Sequence, residues 1–185
     1  MKRVFLAIRF SGNAFLERYI NDIQSNLMTD RIKWVEAKNL HLTLKFFGPT
    51  EKKQLEMIQI TLDKALKSQE KLQISFNKLG VFGSKYQPRV LWMGMENFDD
   101  IVKLQKQIAI ALEDMGIYAD RQNFVPHLTI ARIKQLQSKK YFQSVVERFK
   151  EFDSEPIIIN RIYLYESILR KEGPEYRVLS EYKLQ

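Results

Sequence analysis

Leu40-His41-Leu42-Thr43-Leu44-Lys45-Phe46-Phe47 reads as one extended run, and His127-Leu128-Thr129-Ile130 repeats its centre about half a chain later. In a strand, successive side chains point to opposite faces. Leu40, Leu42, Leu44 and Phe46 would then share a core-facing side, and His41, Thr43, Lys45 and Phe47 the other. Within each copy the His and Thr stand about 6.5–7 Å apart along the strand, a gap that two polar side chains can close around one small anion such as phosphate. The first run ends at Gly48-Pro49, a turn signal. In the second, Pro126 removes a backbone donor just ahead of His127. That is tolerated at a strand's first residues or on an edge, so the strand should begin, or lie exposed, at its histidine.

A lone His-x-Thr pattern is weak, because most strand histidines are packing or surface residues. Here the chain holds two histidines only, and both fall in His-Leu-Thr-aliphatic. Chance placement of both is improbable, so the duplication carries the signal. Histidine's unperturbed pKa of about 6.5 keeps both protonation states available near neutrality, so two imidazoles can supply the acid and the base for in-line displacement at phosphorus. Thr43 and Thr129 can donate to the non-bridging phosphate oxygens.

The surrounding elements are mixed. Residues 2 to 10 read as a strand with Phe5 and Ala7 on one side and Val4, Leu6 and Ile8 on the other, both faces covered. Helical spacing follows from Ser11, a candidate cap, and again from Thr50, through Leu55, Ile58, Leu62 and Leu66. A third helix runs over Asp99 to Met115 and ends at Gly116; a fourth spans Ser138 to Lys150. Strands are expected near Ile32 to Glu36, at 71 to 78 and 89 to 95 around a Gly80-to-Pro88 loop, at Pro156 to Glu166 and at Tyr176 to Leu184. Without regular strand–helix alternation this is an α+β pattern, and no linker divides residues 1 to 185, so a single domain is expected.

Composition bounds the rest. Hydrophobic residues make up 45% of the 185, enough for one sizeable core. Absence of cysteine excludes disulfides and thiolate metal sites. No apolar run approaches the roughly 20 residues of a membrane span, and Val4 to Ile8 is too short for a signal peptide's apolar region. A cytoplasmic location is therefore expected. The 30 Lys and Arg against 22 Asp and Glu, net +8, modestly favour a polyanionic partner such as RNA.

Longer strings narrow the reading. Trp34 with Asn39-Leu40-His41-Leu42-Thr43-Leu44-Lys45-Phe46-Phe47-Gly48, then Arg121, Phe124 and Pro126-His127-Leu128-Thr129-Ile130-Ala131-Arg132, resemble the two-histidine (2H) phosphoesterase superfamily. Within it they resemble bacterial and archaeal RNA 2′,3′-cyclic phosphodiesterases, also called 2′-5′ RNA ligases. Leu79-Gly80-Val81-Phe82, Pro88-Arg89-Val90-Leu91-Trp92 and Arg3-Val4-Phe5-Leu6-Ala7-Ile8 fit the same family. The resemblance implies two lobes related by a pseudo-twofold axis, each an antiparallel sheet with flanking helices, and an active cleft between them. It implies His41 as proton donor and His127 as proton acceptor in opening RNA 2′,3′-cyclic phosphate ends to 2′-phosphates, with reverse 2′-5′ ligation secondary. No cofactor and no metal are called for, and a monomer is expected. Other readings are a 2H enzyme acting on 2′-5′ oligoadenylate or ADP-ribose cyclic phosphate, and a non-catalytic RNA-binding protein.

Arg132, a further phosphate-binding candidate, lies an odd number of residues past His127. Strict alternation puts it on the opposite face, where a structural salt bridge is the favoured role; only a bulge would bring it to the phosphate. Lys45 shares His41's face by the same parity and is a candidate to attract substrate. Phe5, Phe47, Trp34, Trp92 and Tyr165 are candidates for base stacking, though core packing suits most of the chain's 12 phenylalanines and 8 tyrosines better.

Overall fold

The computed structural model describes residues 1–84, 86–96, 98–118, 123–171 and 173–185; Arg121 lies outside them. Nine strands and four helices are seen among these residues: β1 (Lys2–Arg9), α1 (Ala14–Asn26), β2 (Arg31–Trp34), β3 (His41–Thr50), α2 (Lys52–Leu66), β4 (Leu72–Ser84), β5 (Gln87–Glu96), α3 (Asp99–Glu113), β6 (Leu128–Gln135), α4 (Lys139–Arg148), β7 (Ile157–Ile159), β8 (Arg161–Leu169) and β9 (Pro174–Lys183). They form a four-stranded sheet, β3-β1-β8-β9, and a five-stranded sheet, β2-β6-β5-β4-β7. Every strand pairing is antiparallel, as the α+β expectation requires.

The two sheets repeat one plan. A strand (β1 or β5) leads through a helix to the antiparallel neighbour that carries a His-Leu-Thr motif (β3 or β6), and another helix (α2 or α4) follows. β8 and β4 flank the first strand of each set, and β2 is the extra strand outside β6. This is the two-lobed arrangement that the resemblance implies.

Apolar spacing decides what each element buries. Ile101, Leu104, Ile108 and Leu112 of α3 are buried, as helical periodicity predicts, and Gly116 at φ +72° ends the turn that follows. Val4, Leu6 and Ile8 of β1 join one apolar core that draws on both sheets and all four helices. Phe5 and Ala7, on the opposite face of β1, pack separately with Tyr163 and Tyr165. Both faces of β1 are thus covered, which is why its run is almost uniformly apolar. No described helix is long and apolar enough to cross a membrane.

Local expectations fail where a side chain or an edge overrides the pattern. Asn13, not Ser11, caps α1, its Oδ1 accepting from the Leu16 amide at 3.0 Å. Glu51 rather than Thr50 precedes α2 and caps it with no side-chain hydrogen bond, because Thr50 is still the last residue of β3, its hydroxyl donating to the Gly48 carbonyl. β3 continues through Gly48-Pro49 to Thr50: it is an edge strand, where proline's missing N–H is tolerated, and Gly48 takes φ +74°. Gly80 to Ser84 is strand rather than loop. Pro156 to Glu166 divides at Asn160, with β7 joining one sheet and β8 the other.

Candidate active site

His41 opens β3, separated by Leu40 alone from a 3-10 turn over Ala37–Asn39, and its Nδ1–H donates to the Asn39 carbonyl at 2.7 Å. His127 stands one residue before β6, and its Nδ1–H donates to the Val125 carbonyl at 2.8 Å. Both partners are the carbonyl two residues upstream. A carbonyl only accepts, so each ring must hold a proton on Nδ1, leaving Nε2 to exchange one with a ligand. Asn39 is tied down in turn, its buried side-chain amide donating to the Pro174 carbonyl at the start of β9.

Aromatic rings brace each imidazole. His41 lies 5.1 Å from Phe5 and 5.1 Å from Tyr176, the latter edge-on. His127 meets Phe82 at 4.8 Å, edge-on, and Trp92 at 6.3 Å. Trp92 lies across Gly80, where a Cβ would fall 2.3 Å from its ring, so this glycine is needed for the ring to lie flat against β4. The Leu79-Gly80-Val81-Phe82 string thereby brings the Trp92 and Phe82 rings against His127. Phe82 enters the sequence reading only within the Leu79-Gly80-Val81-Phe82 string and Tyr176 only as the start of a strand, since nothing in their local pattern distinguishes them from packing aromatics.

Alternation breaks at the same point in both motifs. In β3, Thr43 pairs with Ala7 and Lys45 with Leu6, leaving Leu44 as the extra residue of a bulge. In β6, Thr129 pairs with Trp92 and Ala131 with Leu91, leaving Ile130 extra. Each bulge reverses parity beyond it. Lys45 is accordingly turned away from His41 and is 5% exposed, its Nζ donating to the Tyr118 carbonyl at 2.9 Å. The expectation that it shares His41's face is overturned. Arg132 undergoes the converse change. It returns to the His127–Thr129 face, lines the cleft, and makes no ion pair with a carboxylate among the described residues. The salt-bridge role gives way to the bulge.

The two motif faces meet in one cleft of about 260 Å³, lined by His41, Thr43, His127, Thr129 and Arg132 together with Arg3, Lys33 and Phe46. Of the stacking candidates, Phe5 and Trp34 also line it. Phe47 packs against the main core, Tyr165 is buried against Phe5, and Trp92 backs His127. Among the described residues no group of three or more His, Cys, Asp or Glu side chains is placed to hold a metal ion.

Burial, together with the nearby His127 and Arg132 charges, holds the His41 pKa below its ordinary 6.5, against the upward pull of the Asn39 carbonyl. In NMR titration of the free protein, His41 is therefore expected to take up its proton below pH 6.5. Saturating inorganic phosphate should raise that midpoint, because an anion in the cleft favours imidazolium; a midpoint that phosphate leaves unchanged would count against anion binding here. The same depression makes folding stability fall as pH drops below about 6.5, where the unfolded chain's histidine protonates first.

Comparison with known proteins places this geometry in a family. The sequence model of the 2′-5′ RNA ligase superfamily matches residues 14–168. The chain belongs to that superfamily. Among its relatives within the family, an RNA 2′,3′-cyclic phosphodiesterase of Methanocaldococcus jannaschii is 33% identical over 97% of this chain and 99% of its own. One of the same name from Aquifex aeolicus is 34% identical over 94% and 92%. Solved structures agree on the fold. A Thermus thermophilus protein superposes with a TM-score of 0.80 at 21% identity, covering 98% and 97% of the two chains. E. coli LigT complexed with 3′-AMP superposes at 0.76 and 19%, covering 100% and 98%.

Proposed function

We propose that this member of the superfamily hydrolyses RNA 2′,3′-cyclic phosphate ends to 2′-phosphomonoesters without a metal, as a single two-lobed monomer in the cytoplasm. The observation that carries the reading is the pair of imidazoles in one cleft, each with Nδ1 committed to a carbonyl and Nε2 left for exchange. The relatives that span almost the whole chain carry the matching name.

In this reaction the His127 Nε2 removes a proton from water as its oxygen attacks phosphorus. The bond from phosphorus to the ribose 3′ oxygen breaks on the far side, and His41, entering as imidazolium, gives its Nε2 proton to that oxygen. One water is added, leaving a 2′-phosphate and a free 3′ hydroxyl. His41 ends neutral and His127 charged, and exchange with solvent restores both. The Thr43 and Thr129 hydroxyls and the Arg132 guanidinium donate to the non-bridging oxygens as negative charge builds there. With a 5′ hydroxyl taking the place of water as the nucleophile, the same groups open the cyclic phosphate to form a 2′-5′ linkage.

The direct test is incubation with a nucleoside 2′,3′-cyclic phosphate in the presence of EDTA. The expected product is the 2′-monophosphate. Binding without turnover, or turnover that EDTA abolishes, would overturn the reading, and a panel including 2′-5′ oligoadenylate and ADP-ribose cyclic phosphate separates it from related activities.

A further inference from the structure

The face of the β3-β1-β8-β9 sheet that carries His41 continues beyond the cleft. Phe5, Ala7 and Arg9 alternate along β1, and Tyr165 and Tyr163 of β8 pair with the first two. Both tyrosines are 5% exposed, lying against each other and, through Tyr165, on Phe5 at the cleft wall. Arg9 ends this row and is exposed. Its guanidinium carbon stands 4.3 Å over the centre of the Tyr163 ring, and Nη2 donates to the Tyr163 hydroxyl at 3.0 Å. These two neutral contacts fix the position of the guanidinium and leave its charge uncompensated. Arg161, two residues before Tyr163, has Glu181 at 2.8 Å, whereas Arg9 makes no ion pair with a carboxylate among the described residues. The hydroxyl occupies only one of the N–H donors, so the rest of the fork is open to an anion.

Its place relative to His41 says which anion. Arg9 is the residue directly opposite His41 in the β1–β3 ladder, but the two side chains diverge. The His41 ring leans to Phe5, and the Arg9 guanidinium crosses to Tyr163 on β8. β3 and β8 lie on either side of β1, two interstrand spacings or about 10 Å apart. One nucleotide, with a phosphate on each side of its ribose, covers that span once the two side chains reach in to meet it. Ribose connectivity sets the direction. In the proposed reaction His41 meets the 3′ oxygen, and carbon 3′ is bonded to carbon 4′, which carries the 5′ carbon and with it the next phosphodiester. The RNA strand therefore leaves the cleft on His41's side, and β1 is the strand that borders β3 there. We infer that Arg9 holds the phosphodiester next to the cyclic phosphate, so that an RNA end is gripped by two phosphates, one between the histidines and one on the tyrosine-backed arginine at the rim. Resting on the proposed RNA-end substrate, this site adds discrimination by chain length: oligonucleotide ends are favoured over mononucleotides, which lack the second phosphate.

The test titrates wild type, Arg9→Gln and Arg9→Lys with adenosine 2′-monophosphate and with adenosine 2′,5′-bisphosphate, which carries both phosphates. Wild type should bind the bisphosphate about fivefold more tightly, the upper end of what an exposed ion pair supplies, and the advantage should shrink as salt is raised. Arg9→Gln keeps a stem and a donor for Tyr163 but no charge, and should bind the two ligands alike. Arg9→Lys should keep most of the advantage. With a dinucleotide that ends in a 2′,3′-cyclic phosphate, the Arg9→Gln loss should appear in KM. Equal affinities in wild type, an advantage that survives in Arg9→Gln, or equal losses for both ligands, as a merely structural cap on the tyrosines would give, would overturn the site. If wild type hydrolyses no cyclic nucleotide yet shows a bisphosphate advantage that Arg9→Gln loses, the hydrolase reading fails and the second phosphate site stands.

Discussion

Alanine in place of His41 or of His127 is expected to lower turnover of a 2′,3′-cyclic nucleotide by about 10²–10⁴-fold, the range that a positioned acid or base contributes. The side-chain surroundings make this a clean experiment. Both rings are only half-buried, in the mouth of a cleft, and each spends its Nδ1 on a carbonyl in its own local segment. Removing either ring leaves the apolar core on the opposite strand face untouched, Leu42 and Leu44 in one motif and Leu128 and Ile130 in the other. The fold should therefore persist, as far-ultraviolet circular dichroism and thermal unfolding would report. Because the two act on one proton-transfer sequence, the double variant should lose little more than the worse single one. The wild-type rate should follow a bell in pH and each single variant should lose one limb. Undiminished turnover in either single variant would refute two-histidine catalysis.

Arg132→Ala should reduce turnover about 10²–10³-fold, comparable to removing one fixed donor from a developing oxyanion. A structural arginine would behave differently, since loss of a paired cation lowers stability. Here the side chain is exposed and without a carboxylate partner among the described residues, so the melting temperature should stay near that of wild type. Arg132→Lys should recover part of the loss, because an ammonium keeps the charge without the guanidinium's planar fork. A second readout follows from electrostatics. Arg132 is one of the charges holding the His41 pKa down, so Arg132→Ala should move the His41 midpoint upward. Full activity with lowered stability would return Arg132 to the structural role that strict alternation assigns it.

Both predictions concern residues whose visibility in the sequence differs for a physical reason. The histidines and threonines were legible because they precede the bulges, where side chains still alternate with a period of two. Arg132 and Lys45 lie beyond them, and parity misassigns both. A bulge is an excess residue relative to a partner strand, and β1 and β5 lie far from β3 and β6 in the chain. Nothing within Leu42-Thr43-Leu44-Lys45 announces that Leu44 goes unpaired. Phe46 was hidden for the same reason, its face depending on that one unpaired residue.

The sequence by itself determined the chemistry on offer. Two histidines in duplicated His-Leu-Thr settings, apolar faces at helical and strand spacing, and a mixed α+β order are all local properties, encoded in side-chain type and period. Tertiary structure alone decided which side chains share the cleft. The two motifs sit in different sheets, and their meeting depends on sheet order, on glycine at position 80 beneath Trp92, and on two bulges that turn Arg132 and Phe46 inward and Lys45 away. Those features arise from pairing between distant segments, so they exist only once the sheets have formed.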